Sequence, residues 1–331
     1  MILAGDVGGT KTVLALYEQD GERLVERQRE VFPSRAHAGL GEILERFLAS
    51  RRPLRIEAAG FGVAGVVDDG RVAATNLPWV TEASELAAAL GLPGVVLLND
   101  LEAAAYGMLE LGPEALVELN PGAAEPDPCA HAAVIAPGTG LGQAALVWDG
   151  QRHRALASEG GHADFAPRSD EQIGLLHFLR AELGRVSVER VLSGPGLHNI
   201  YRFLRARSAV PEPDALRDRL AHEDPGAVIG ELGLHGDDPV CAQSVALFAA
   251  IYGGEAGDLA LRLLPHRGVY LGGGITPRLL PALRRGGFMQ AFRDKGRFSE
   301  AVARFPVLAS LEPAAPLLGS ARHALQGAVL G

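Results

Sequence analysis

The chain has 331 residues with 31 basic and 40 acidic side chains, a formal net charge of −9, which excludes nucleic acid as a main partner because polyanion affinity rests on a basic surplus that displaces counterions. A composition 47% hydrophobic and 21% charged belongs to a folded globular protein of about two domains, not to a disordered chain. Apolar stretches such as Val245 to Tyr252 fall short of the roughly 18 residues a bilayer span needs, no basic-then-apolar leader precedes Ile2, and two cysteines, Cys129 and Cys241, are too few for a disulfide framework or a Cys-rich metal site; a cytoplasmic chain with no membrane partner is expected.

In chain order, Ile2–Gly5 is a short apolar run, Asp6 to Thr12 a glycine-rich turn, and Val13 to Tyr17 a second apolar run closed by Asp20-Gly21, the pattern of a hairpin with an acid at its bend. His131 to Ala136, Pro137 to Gly142 and Gln143 to Trp148 repeat that plan, with Gly9-Thr10 falling on Gly138-Thr139 and Asp20-Gly21 on Asp149-Gly150 without a gap, as one structural unit used twice. Between the copies, Glu57 to Val67 reads as a strand interrupted by Gly60, Gly62 and Gly65, Ser84 to Leu90 as a helix, Val95 to Leu98 as a buried strand and Leu101 to Leu111 as a helix. Strands alternating with helices imply a partly parallel sheet covered on both faces. Gly112 to Pro128, rich in proline, glycine and acid, is the best candidate for a linker or surface loop between lobes. Helical spacing then marks 170–183, 195–206, 214–222 and 240–264, the last weakened by Gly253-Gly254. Val269–Leu271 is a strand, Gly272–Gly274 a third glycine turn, and Thr276-Pro277 reads as an N-cap with proline at the first helical position. The stretch from Ala315 to Leu330 is helix-compatible and expected to pack back onto a lobe.

Glycine turns at strand ends let backbone amides approach phosphates, and three of them suggest a nucleotide triphosphate cleft. The P-loop reading of Gly8 to Thr12 fails because Thr10, not glycine, precedes Lys11. A dinucleotide fingerprint is also poorly supported. Asp100, after a buried strand and before a helix, is placed to take a proton from a substrate hydroxyl, or else to cap the helix; Asn99 beside it both donates and accepts. Glu159 to Asp164 places carboxylate, imidazole and carboxylate in one loop, which suits a polyol better than a metal. Glu189 by itself reads as a surface or salt-bridged acid.

Asp6-Val7-Gly8-Gly9-Thr10, Thr75-Asn76-Leu77-Pro78-Trp79, Leu98-Asn99-Asp100, Gly138–Gly142, Glu159–Phe165, Glu189–Gly196, Gly272–Ile275 and Asp294–Phe298 together resemble the zinc-free bacterial glucokinases of the hexokinase/actin/Hsp70 superfamily, nearly end to end. The resemblance implies an α/β chain with a two-lobed ribonuclease H-like fold, duplicated mixed-sheet domains and a cleft between them. The domains would be 1–110 plus 315–331 and 111–314. It implies ATP-dependent phosphorylation of the glucose 6-hydroxyl with Asp100 as general base. Asn99, Glu159, His162, Glu189, Gly65 and Asn76 would bind the sugar. Gly8, Gly9 and Thr10 with Gly138, Thr139 and Gly140 would hold phosphates, Gly272, Gly273 and Gly274 the adenosine side, and Asp6 would lie near Mg²⁺ without ligating it directly. A homodimer is expected on the same basis. Lys11-Thr12 departs from the asparagine and alanine usual there and is closer to the repressor/ORF/kinase family, whose cysteine-rich zinc motif is absent. Three readings compete: a kinase for mannose or an N-acetylated hexosamine, a non-catalytic sugar sensor, and a nucleotide hydrolase.

Overall fold

The computed structural model describes residues 1–21, 23–49, 54–74, 77–121 and 123–330. They form two compact units, one of Met1–Glu114, Ala155–Ala157 and Glu312–Gly331, the other of Ala115–Arg154 and Ser158–Leu311.

The first unit opens with a meander of β1 (Ile2–Val7), β2 (Lys11–Asp20) and β3 (Arg23–Pro33), followed by α1 (Leu40–Ala49) and β4 (Ala58–Val63). A small antiparallel sheet of β5 (Val67–Asp68), β6 (Arg71–Ala73) and β7 (Val80–Glu82) leads through α2 (Ala83–Leu90) to β8 (Val96–Asn99) and α3 (Asp100–Glu110). The main sheet has the order β3-β2-β1-β4-β8. Asp6 pairs antiparallel with Val13 and parallel with Gly62, and Val63 pairs parallel with Asn99. Residues alternate across this sheet: Leu3, Val7, Leu14 and Phe61 pack with Ile43 and Phe47 of α1, while Ile2, Ala4, Ala15 and Tyr17 pack with Leu317, Ala321 and Ala324 of the C-terminal helix Ala315–Leu330. Gly60 and Gly62 do not break β4. A Cβ on Gly60 would strike the Ser320 carbonyl, and one on Gly62 would lie 2.8 Å from Ala103 Cβ, so both glycines let helices close onto the strand.

The elements of the second unit are β9 (Leu116–Glu118), β10 (Ala132–Pro137), β11 (Leu141–Trp148), β12 (His153–Ser158, whose Ala155–Ala157 are grouped with the first unit), α4 (Asp170–Leu183), α5 (Gly194–Arg207), α6 (Asp214–His222), α7 (Pro225–His235), α8 (Pro239–Leu263), β13 (Gly268–Leu271), α9 (Ile275–Leu283), α10 (Gly287–Arg293), α11 (Ser299–Val302) and β14 (Val307–Ser310). Its sheet runs β12-β11-β10-β13-β14-β9. The first five positions repeat the first sheet, a meander whose opening strand is joined by two parallel strands, so the duplication covers a whole sheet. The copies differ at the turn: Val7 faces Thr12 across Gly8 to Lys11, whereas Pro137 faces Leu141 across only Gly138 to Gly140. The gapless alignment is therefore corrected by one residue.

The expected linker or surface loop is corrected at Leu116–Glu118, since β9 pairs antiparallel with β14, Val117 opposite Ala309. Gly253 and Gly254 leave α8 unbroken because they are contact points, a Cβ on Gly253 colliding with the Phe288 carbonyl of α10. Among the described residues α8 alone is long and apolar enough for a membrane span, with a mean hydropathy of 1.2 in its most apolar window, but 78% of that window is buried in the protein. Thr276 is no cap. Helix α9 starts at Ile275 behind Gly274, and the buried Thr276 hydroxyl donates to the Gly272 carbonyl at 2.5 Å, where it holds the glycine turn.

Candidate active site

In the first unit, β1, β4 and β8 run parallel and reach the same sheet edge, which carries Asp6 and Asn99 there and starts α3 at Asp100. Asn99 is the N-cap: its Oδ1 accepts from the Leu101 amide at 2.9 Å while Glu102 accepts from the Asn99 amide at 3.0 Å, a reciprocal capping box. The cap reading of Asp100 is thus displaced by one residue, Asp100 being the first residue of the helix with its Oδ1 2.9 Å from the Leu101 amide. Asn99 Nδ2 donates to the Gly65 carbonyl at 2.9 Å. An amide side chain offers two donor hydrogens and two acceptor lone pairs, so one of each remains for a hydroxyl. Gly65 acts on this site through Asn99. Asp6 is partly buried, and burial together with the Asp100 carboxylate pushes its pKa up to about 6 against the opposing charge of Lys11. Asn76 lies outside the described residues.

The Gly8–Thr10 turn is clamped by a residue that sequence reasoning missed. Ser34, fully buried, donates from its hydroxyl to the Gly8 carbonyl at 2.7 Å and from its amide to the Thr10 carbonyl at 3.0 Å. Its hydroxyl also meets that of Thr12 at 3.0 Å. Because the single Ser34 proton serves Gly8, Thr12 is the donor in that pair, which gives the unusual Thr12 a structural use.

In the second unit the expected residues gather around Leu141. Glu189, in a short 3-10 turn, accepts from the Leu141 amide at 3.0 Å. Gly160–His162 is another such turn, with the Glu159 and His162 side chains exposed and 3.8 Å apart; a Cβ on Gly161 would hit the Leu141 carbonyl. Gly138, Thr139 and Gly140 form the turn just before Leu141, closed by a Gly138 amide to Gly140 carbonyl bond of 2.8 Å. Gly272 donates to the Ile135 carbonyl at 2.9 Å, and Gly273, with φ +74° and the Pro137 carbonyl where a Cβ would sit, admits only glycine. The two glycine turns of this unit are therefore neighbours, with Gly274 at the start of α9.

Two helix ends join them. The Gly194 amide donates to the Gly138 carbonyl at 2.8 Å, bringing up the N-terminus of α5, which Ser193 caps through the Gly196 amide at 3.0 Å. Asp224 caps α7, whose Gly226 packs with its Cβ position 2.9 Å from the Gly194 carbonyl. Helix N-termini present free amides and positive dipole ends, which favour phosphate. Ser193 and Asp224, each followed within two residues by proline, carried a helix-start signal, and Asp224 was missed. Asp164 departs from the polyol reading: Arg185 binds its carboxylate at 2.7 Å and the His162 carbonyl at 2.7 Å, so it shapes the loop instead. Among the described residues no group of three or more His, Cys, Asp or Glu side chains could hold a metal ion.

A sequence model of the family described as Glucokinase matches residues 3–327. The chain belongs to the glucokinase family. A glucokinase of Nostoc punctiforme is 39% identical over 97% of this chain and 98% of its own. The crystal structure of a glucokinase from an Antarctic psychrotroph superposes with a TM-score of 0.85 at 32% identity, covering 98% of each chain. A glucokinase of the ROK family from Streptomyces griseus, solved in complex with glucose and AMPPNP, gives a TM-score of 0.66 at 26% identity over 98% of this chain and 99% of that one. Glucokinase membership makes the chain an ATP-dependent hexose kinase on the two-domain α/β fold of these sugar kinases.

Proposed function

We propose that the chain transfers the γ-phosphoryl group of MgATP to the 6-hydroxyl of D-glucose, with Asp100 as the general base. The Asn99–Asp100 pair carries the reading: a carboxylate and an amide with spare donor and acceptor capacity stand at the edge where parallel strands end. Phosphoryl transfer passes through a loose transition state, so the protein's work is alignment and charge stabilisation. Asp100 takes the hydroxyl proton. Asn99, Glu159, His162 and Glu189 answer the remaining hydroxyls, Gly65 orients Asn99, and Asn76 belongs to the same set. Backbone amides of Gly8–Thr10 and Gly138–Gly140 hold phosphates, with Gly272–Gly274 on the adenosine side. ATP as donor is supported by the AMPPNP held by the Streptomyces griseus relative. Mg²⁺ bound with the nucleotide would neutralise phosphate charge; Asp6 would lie near it without ligating it directly, its carboxylate and that of Asp100 being close enough to favour a nearby cation. A cytoplasmic homodimer is part of the same proposal, on family resemblance.

The test is ADP release from MgATP with glucose, mannose, fructose or N-acetylglucosamine, and without sugar, for the parent and Asp100→Asn. Release is expected with glucose and not without sugar, and the variant is expected to lose about 10²- to 10⁴-fold in turnover, the usual contribution of a general base. A variant running near the parent rate refutes the role of Asp100; equal release without sugar refutes the kinase reading of the site.

A further inference from the structure

Behind the Glu159–His162 turn lies a buried polar pair that the reaction scheme leaves unused. Gln143 of β11 is 1% exposed and Glu255 of α8 is 9% exposed, and Gln143 Nε2 donates to Glu255 Oε1 at 2.8 Å. Arg262 stands 3.6 Å from the same carboxylate oxygen. The buried Lys295 ammonium binds Asp258, one turn further along α8, at 2.5 Å and the Gly254 carbonyl at 2.8 Å, so this stretch of helix is tied in place on both sides of Glu255.

The pair meets the turn at its base. The Ser158 hydroxyl donates to the Gln143 carbonyl at 3.1 Å and accepts from the Gly160 amide at 3.3 Å. A Cβ on Gly160 would collide with Gln143 Oε1, so the backbone of the turn rests directly on the amide oxygen. An ionised carboxylate only accepts. Glu255 therefore holds Nε2 on its own side and keeps Oε1 against Gly160, an orientation that an amide without such a partner does not keep. Glu255 also lines a small cavity with Phe165 and Val188, and Val188 directly precedes Glu189.

We propose that the Gln143–Glu255 pair is a positioning device that holds the Glu159–His162 turn in its hexose-accepting geometry and thereby sets sugar affinity. This rests on the proposed reading of that turn as part of the hexose site. Removing the hydrogen bond loosens the acceptors of the sugar and leaves the phosphate turns and the base untouched.

The experiment measures kcat, KM for glucose, KM for MgATP and Tm for Glu255→Ala, Gln143→Ala, the double variant, Glu255→Gln and, as a control on the site itself, Glu159→Gln. Glu255→Ala and Gln143→Ala are each expected to raise the glucose KM about tenfold, with KM for MgATP and kcat moving by less than about threefold. The double variant should be no worse than either single one, because both remove the same contact. Glu255→Gln, which retains an acceptor oxygen, should recover most of the loss. Should Glu255→Ala yield no folded protein, Gln143→Ala and Glu255→Gln still report the contact. If Glu159→Gln raises the glucose KM while Gln143→Ala does not, or if the MgATP and glucose KM values rise together, the positioning role is overturned. If Glu159→Gln itself leaves the glucose KM unchanged, the reading of the turn as a hexose site falls first and the proposal with it.

Discussion

Asp6 shows how a single side chain records its surroundings. Its ordinary value of 3.8 is raised to about 6 by burial and by Asp100, so between about pH 4 and pH 6 the folded protein holds a proton that the unfolded chain has released. Stability conferred by that proton is complete below the lower value and is lost as pH rises through the higher one. A shift of this size corresponds to about 3 kcal/mol. Asp6→Asn, which carries no charge to desolvate, is expected to be more stable than the parent by roughly 1–3 kcal/mol at pH 8, with that advantage gone near pH 4. Urea unfolding of both proteins at pH 4, 6 and 8 in metal-free buffer checks it; a constant difference across the three would contradict the assignment. Asp100 and the glycine turns were legible because their residue types stand at strand ends, where chemistry concentrates. Ser34 was not, since a lone serine 26 residues from Gly8 carries no local signal of the carbonyl it will meet.

At the scale of elements, the two hairpins share one plan and differ in how their turns are held. The first is clamped by Ser34, through its hydroxyl at Gly8 and its amide at Thr10, with the Thr12 hydroxyl behind it, and the second by the Gly194 amide at Gly138 and the Glu189 carboxylate at Leu141. Ser34→Ala removes the hydroxyl donor on the Gly8 carbonyl and takes from the buried Thr12 hydroxyl its Ser34 acceptor, a loss of about 1–3 kcal/mol. It is expected to raise the MgATP KM severalfold while moving the glucose KM less than twofold, read by steady-state kinetics; an equal rise in both would place Ser34 outside nucleotide binding. Periodicity located most helices within one residue or so, as with 170–183. It failed where a segment's state is decided by a distant partner, as at Leu116–Glu118, a strand only because β14 offers an edge; the helix expected over 240–264 held through Gly253-Gly254 because the Phe288 carbonyl packs where a Gly253 Cβ would stand. Gln143 and Glu255, 112 residues apart, were invisible for the same reason.

For the molecule as a whole, the first unit is completed by residues from the far end of the chain. The C-terminal helix supplies Leu317, Ala321 and Ala324 to the sheet face of Ile2, Ala4, Ala15 and Tyr17, and Gly107 and Gly319 let it seat against α3, since a Cβ on either would strike a backbone carbonyl of the other helix. Deleting residues 312–331 is expected to leave that face exposed and the first unit unfolded. Hydrogen exchange should then show β1, β2 and β4 unprotected while β10 and β13 keep their protection; protection of β1 in the truncated chain would show that the helix is dispensable. By itself the sequence determined the strand–turn–strand duplication, the α/β alternation and the residue types at the strand ends, because these follow from local periodicity and from what glycine, asparagine and aspartate do to a backbone. Only the tertiary structure decided which of those residues meet. Asp6 feels Asp100 through parallel register, Glu189 reaches Leu141, Ser34 clamps Gly8 and Glu255 orients Gln143, each through contacts between distant segments that form when both faces of a sheet are covered.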